Sequence, residues 1–179
     1  MRRRLLVVTL VVAAGVLAFS FLGPRPSNDR NWTRDQERLP WAEISGNRVD
    51  VHNVRYARYR STDDYDVAWE DRSYDLDRLQ SAWFMVEPFD QDWQGPAHTL
   101  LSYGFEGDDY LAISVELRKE KDEQFSPLKG MLRQYELTYV VGDERDLIQL
   151  RTNHRRDPVY LYPVRASRER IREMFVTML

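Results

Sequence analysis

Hydrophobic and polar positions follow three regimes along this chain. From Leu5 to Leu22 the run is apolar, broken only at Thr9, Gly15 and Ser20. From Ala42 to Val164 apolar residues alternate with polar ones in short runs separated by turn residues. Over Ser167–Leu179 they return at helical spacing, with Ile171, Met174, Phe175, Met178 and Leu179 at i, i+3, i+4, i+7 and i+8. The first regime predicts a helix near the minimum of about 17–20 residues that spans hydrocarbon. The second predicts strands, because side chains alternate between sheet faces. The third predicts an amphipathic helix, with Ser167 as its N-cap.

Within the alternating region, Ala42–Ser45 and Arg48–Arg60 read as strands joined at Gly46-Asn47, with a change of parity near Asn53 that predicts a bulge. Ser61–Asp66 is polar and reads as loop, Tyr74–Leu79 as a helical turn, and Ser81–Val86 as a buried strand ending before Pro88. Phe89–Pro96 reads as loop. The clearest hairpin is Ala97–Phe105 with Tyr110–Arg118 across Glu106-Gly107-Asp108-Asp109. Beyond it, Ser126–Met131 reads as a short helix and Gln134–Val141 as a strand. Gly142–Asp146 reads as a turn, Leu147–Thr152 as either strand or short helix, Asn153–Pro158 as a basic loop, and Val159–Val164 as the last strand. The class is therefore α+β: an N-terminal transmembrane helix, then a mainly antiparallel sheet with flanking helices.

Arg2-Arg3-Arg4 before the apolar run orients it, since positive charge stays cytoplasmic. An uncleaved signal anchor at 1–22, a linker at 23–38 and one exported domain at 39–179 follow; cleavage after Ala18-Phe19-Ser20 is the alternative. Residues 1–30 hold five arginines and one acid, so of the 26 basic and 29 acidic residues in the chain, 21 and 28 fall in 31–179, a net of −7. Such a surface does not suit nucleic acid, which is bound by displacing phosphate counterions. The chain has no cysteine, which excludes thiol catalysis and cysteine-ligated metal within it.

Candidate chemistry gathers on the hairpin. Odd positions from Ala97 to Phe105 and from Leu111 to Leu117 are mostly apolar. Even positions carry His98, Leu100, Ser102 and Gly104 against Tyr110, Ala112, Ser114, Glu116 and Arg118, a small and polar face read as wet. Burial of the odd face demands odd-with-odd pairing, so His98 and Glu116 share a face. They lie directly opposite, at about 4.5–5.5 Å between Cβ atoms, or diagonally, according to whether the turn uses three or five residues. A carboxylate beside an imidazole holds its tautomer and raises its basicity; a cross-strand polar pair without chemistry is the alternative. Ser102 is about 13 Å from His98 along the strand at about 3.3 Å per residue, too far for proton transfer. Ser114 is at best diagonal. His52 and His154 have no second ligand at metal-binding spacing, and Asp63-Asp64 and Asp108-Asp109 read as solvated turn acids. No cofactor motif is present. Arg151, Arg155, Arg156, Arg165, Arg168, Arg170 and Arg172 make the C-terminal third basic, read as a solvated surface, with anionic lipid contact as the alternative.

The segments HTLLSYGFEGDDYLAISVELRKE (98–120), SPLKGMLRQYELTYVVGDERDLIQLRT (126–152) and VYLYPVR (159–165) resemble the Lnb N-terminal periplasmic domain family. Leu39–Glu43, Val51–Tyr59 and Trp69–Leu79 are similar to it as well, and RQYELTYVVGDERD (133–146) is its most specific block. The resemblance implies a permuted papain-like core, incomplete at its C-terminus. It also implies a relationship to an acyltransferase that moves an acyl chain within a bacterial lipoprotein, so that the expected partners are the inner membrane and an envelope lipoprotein or lipid. In such proteins a histidine precedes a cysteine, the latter in an asparagine-cysteine-threonine motif after the helix matching Ser167–Leu179. The histidine carries over to His98, with Glu116 beside it; the cysteine does not carry over. The expectation is either a shortened member, which the unfinished apolar stripe at the C-terminus favours, or one that has lost catalysis.

Overall fold

The computed structural model describes residues 2–22, 27–89, 95–124, 126, 130 and 135–179. Most of the expected helix Ser126–Met131, residues 23–26 of the expected linker and much of the Phe89–Pro96 loop lie outside the described residues. Helix α1 is Arg2–Leu22; its side chains are described for residues 4–15 and 17. Among the described residues no helix is long and apolar enough to cross a membrane.

The remaining elements form a mixed α+β domain. An eight-stranded sheet runs β1 (Trp41–Ser45), β2 (Arg48–Tyr59), β7 (Glu136–Gly142), β6 (Asp109–Arg118), β5 (Ala97–Phe105), β4 (Leu79–Pro88), β8 (Tyr160–Pro163), with β3 (Tyr65–Asp75) also on β2. Its pairs are antiparallel apart from the β2–β7 contact at Arg55↔Gly142. The bulge lies where the change of parity placed it: β2 shifts register against β3 between Val51 and Val54, and Asn53 has φ 58.

β3 corrects the sequence reading, which gave this stretch no strand and put a helical turn at its end. Its alternation is weak because it covers only β2 and most of its side chains stay in solvent. Only Leu76–Arg78 forms a helical turn, of the 3₁₀ type, capped by the Asp75 carboxylate accepting from the Asp77 amide.

The odd face of the hairpin is the main core. Tyr103, Phe105, Leu111 and Ile113 pack with Val49, Val51, Val54, Tyr74, Ile171 and Phe175. The last two come from helix α3 (Arg168–Met178), capped by Ser167 accepting from the Arg170 amide. Its predicted stripe is the buried face: Ile171 and Phe175 are buried and Met174, Met178 and Leu179 pack beside them. Phe175 meets Tyr103 edge-on at 4.9 Å between ring centres.

The even face, expected to be wet, is covered. Helix α2 (Glu144–Gln149) and a π-helical turn (Leu150–Arg155) lie on it, and Leu147 joins Met85, Leu100, Ala112 and Val140 in a second core. Small side chains on that face are what admits a helix rather than water. A Cβ on Gly142 would stand 3.0 Å from the Arg55 carbonyl oxygen and 3.3 Å from Leu147 Cγ. A buried ion pair fixes α2 to β2: Arg55 Nε and Nη2 each donate to Asp146 at 2.8 Å.

Residues 27–38, within the stretch read as linker, pack on the sheet. Trp32 is 5% exposed and bridges antiparallel to Glu120, beneath the Arg118 guanidinium at 4.2 Å. Backbone carbonyls of Gln36 and Asp35 accept from Arg118 and Arg55 at 3.1 Å each.

Candidate functional site

The β5–β6 turn uses three residues, with Phe105 paired to Asp109 and the positive φ values falling on Gly107 and Asp108. That sets the register up to Leu100↔Ser114, the last pair of the ladder, and beyond it His98 Nε2 comes within 3.3 Å of Glu116 Oε1. On its other side His98 pairs Glu87 of β4. A histidine is thus flanked by a carboxylate on each neighbouring strand, all on one sheet face.

Pairing between β5 and β6 ends at Leu100↔Ser114, whereas β4–β5 continues to Pro88↔Ala97 and β6–β7 to Arg118↔Glu136. The two halves of the sheet part beyond Ser114, and a cleft of about 710 Å³ opens there, lined by His98, Glu116 and Arg151 with Phe89, Leu117 and Leu137. Its walls are polar on the even face and apolar at the open end.

The polar groups form one network. Ser114 Oγ donates to Glu116 Oε1 at 2.7 Å and lies 2.8 Å from His98 Nε2. With its own proton committed to the carboxylate, the hydroxyl accepts from His98, which assigns the ring proton to Nε2. Nε2 is also 3.3 Å from Glu116 Oε1. Among the described residues the hydrogen bonds of the ring are made at Nε2, which leaves Nδ1 as the basic nitrogen.

Arg151 joins the two carboxylates. Its Nη2 donates to Glu116 Oε1 at 2.8 Å, Nε to Glu87 Oε2 at 2.6 Å and Nη1 to the Leu147 carbonyl at 2.6 Å. At 3% exposure such a cation persists only with its charge and donors matched. Burial opposes ionisation of Glu116, but the hydrogen bond from His98, the Arg151 charge and the Ser114 hydroxyl outweigh it and hold the carboxyl at about 2. Glu116 is therefore anionic across the physiological range.

Of the residues singled out from sequence, His98, Glu116 and Ser114 come together. Ser114 is diagonal to His98, and the imidazole reaches it at 2.8 Å. Its proton is already given to Glu116 and it is 1% exposed, so it orders the histidine and does not serve as a nucleophile. Ser102 is buried apart from the histidine and donates to Glu144, whose pKa burial pushes up. His52 stacks under Trp41 at 3.9 Å with Nδ1 2.9 Å from Asp71, and His154 packs on Tyr59. Among the described residues no three or more histidines and carboxylates converge as metal ligands.

Arg151 overturns its assignment to a solvated surface, because the π-helical turn aims it inward. Glu87 was not singled out; pairing the Ser81–Val86 strand with the hairpin, one residue beyond its expected end, would have found it.

A family model described as Lnb N-terminal periplasmic domain matches residues 65–179. No curated protein matches the chain, nor does any solved structure.

Proposed function

The chain belongs to the Lnb N-terminal periplasmic domain family, and on that premise we propose that it is a membrane-anchored envelope domain whose His98 is the base of an acyl-transfer or hydrolysis centre acting on lipoproteins. The apolar run Leu5–Leu22 behind three arginines supports a single-pass anchor in the bacterial inner membrane, with the domain in the periplasm. The order of elements, a histidine on a central strand followed by helices, accords with a permuted papain-like core.

The observation that carries this reading is the hydrogen bonding of His98 at Nε2. With Nε2 donating to Ser114 and lying 3.3 Å from Glu116 Oε1, Nδ1 is the nitrogen left to take a proton, and an anionic Glu116 stabilises the imidazolium that results. The nucleophile is a thiol that this chain does not contain. When one enters the cleft, the S–H proton passes to Nδ1, the S–C bond forms at the carbonyl carbon, and the C–O bond to the leaving alkoxide breaks. The proton then returns to that alkoxide.

The test supplies the thiol from solution. The full chain in vesicles, given a short-chain ester and mercaptoethanol, is expected to accelerate thioester formation saturably. His98→Ala should lower that rate by about 10²-fold or more, as loss of a general base does. Equal rates for the two proteins would reject the reading. They would favour a binding module of the envelope, to which the lack of a cysteine also points.

A further inference from the structure

We propose that the open end of the sheet docks on the lipid surface, so that the His98 cleft faces the outer headgroup layer of the membrane that holds α1. The inference rests on the anchoring reading above and adds an orientation to it.

Three large apolar side chains stand in solvent at one end of the sheet: Phe89 is 69% exposed, Leu117 39% and Leu137 70%. Leu117 pairs Leu137, and Phe89 follows the Pro88↔Ala97 pair that closes β4 and β5. Val115 and its partner Tyr139, 40% and 49% exposed, continue the apolar surface along one face. An apolar patch rimming a polar cleft marks a binding surface.

The chain itself says what that surface meets. The Ser27 amide donates to Glu136 Oε1 at 2.8 Å, and Arg118 Nη1 to Asn28 Oδ1 at 2.8 Å. Glu136 and Arg118 each adjoin one of the exposed leucines. Only five peptide links separate Leu22, the last residue of α1, from Ser27, and they reach at most about 18 Å at about 3.6 Å each. A domain pinned that close to its anchor, at this end, keeps this end within about 18 Å of the point where α1 leaves the bilayer. Leucine, valine and phenylalanine gain by entering the headgroup and acyl boundary, and tyrosine is at home there.

The absence of cysteine lets single thiols report position. Full-length Leu137→Cys, Ala13→Cys and Glu106→Cys proteins, each carrying bimane, are reconstituted in phosphatidylethanolamine and phosphatidylglycerol vesicles whose acyl chains are brominated. Position 106 lies at the far end of β5, about 26 Å from His98 at about 3.3 Å per residue. Loss of fluorescence at 13 and 137 with none at 106 is the expected result. Quenching at 13 alone overturns the docking and leaves the anchor standing. No quenching at 13 overturns the anchor and the docking with it. Disulfide cross-linking of two copies of unlabelled Leu137→Cys protein, without lipid quenching of the labelled one, overturns the docking in favour of a dimer.

Discussion

Glu116 is where three side chains meet on one oxygen, with Ser114, His98 and Arg151 all directed at Oε1. Its carboxyl is held at about 2 against an ordinary 4.5. The sign follows from linkage: a depressed pKa contributes stability that is full above the unfolded value and is lost as pH falls toward the folded one. Wild-type protein is therefore expected to lose about 1–3 kcal/mol more than Glu116→Gln between pH 5.5 and pH 2.5, read from urea midpoints; identical losses would mean that the carboxylate is not held this way. That His98 and Glu116 share a face was legible in the sequence, since period two and burial of the odd face require it; their exact offset waited on the length of the turn. Arg151 was not, because its inward direction comes from a π-helical turn that ends with Arg156 at φ 61, a conformation no spacing announces.

Helix α2 owes its position to two features of the strands beneath it. The Arg55–Asp146 pair is buried, with Asp146 fully enclosed and Tyr59 donating to it at 3.2 Å. Asp146→Asn is expected to cost about 3–5 kcal/mol in denaturant unfolding, the penalty for stranding a buried guanidinium. Gly142→Ala should cost about 1–3 kcal/mol, because the neighbour at 3.0 Å is a backbone oxygen that cannot swing aside; an unchanged midpoint would show that α2 is free to shift. Elements whose local pattern marks a buried face were legible, the hairpin and helix α3, and a change of parity marked the bulge at Asn53. The even face misled because small residues look the same whether they meet water or a helix.

The domain begins earlier than its alternating pattern does. Trp32 lies under Arg118 and next to the strand end that holds Ser27, so Trp32→Ala should destabilise the protein by about 3–5 kcal/mol, as a core tryptophan does. A change under about 0.5 kcal/mol, usual for an exposed residue, would return this stretch to the status of linker. By itself the sequence determined the apolar N-terminal helix, the α+β class, the central hairpin and the face shared by His98 and Glu116. These follow from local periodicity and from the need to bury one face of each element. Only the tertiary structure decided that the polar face is roofed by α2, that Arg151 ties Glu87 to Glu116, and that β5 and β6 part into a cleft. Those depend on contacts between residues 35 and 64 positions apart, where helix placement and strand divergence are set by packing in three dimensions and leave no period along the chain.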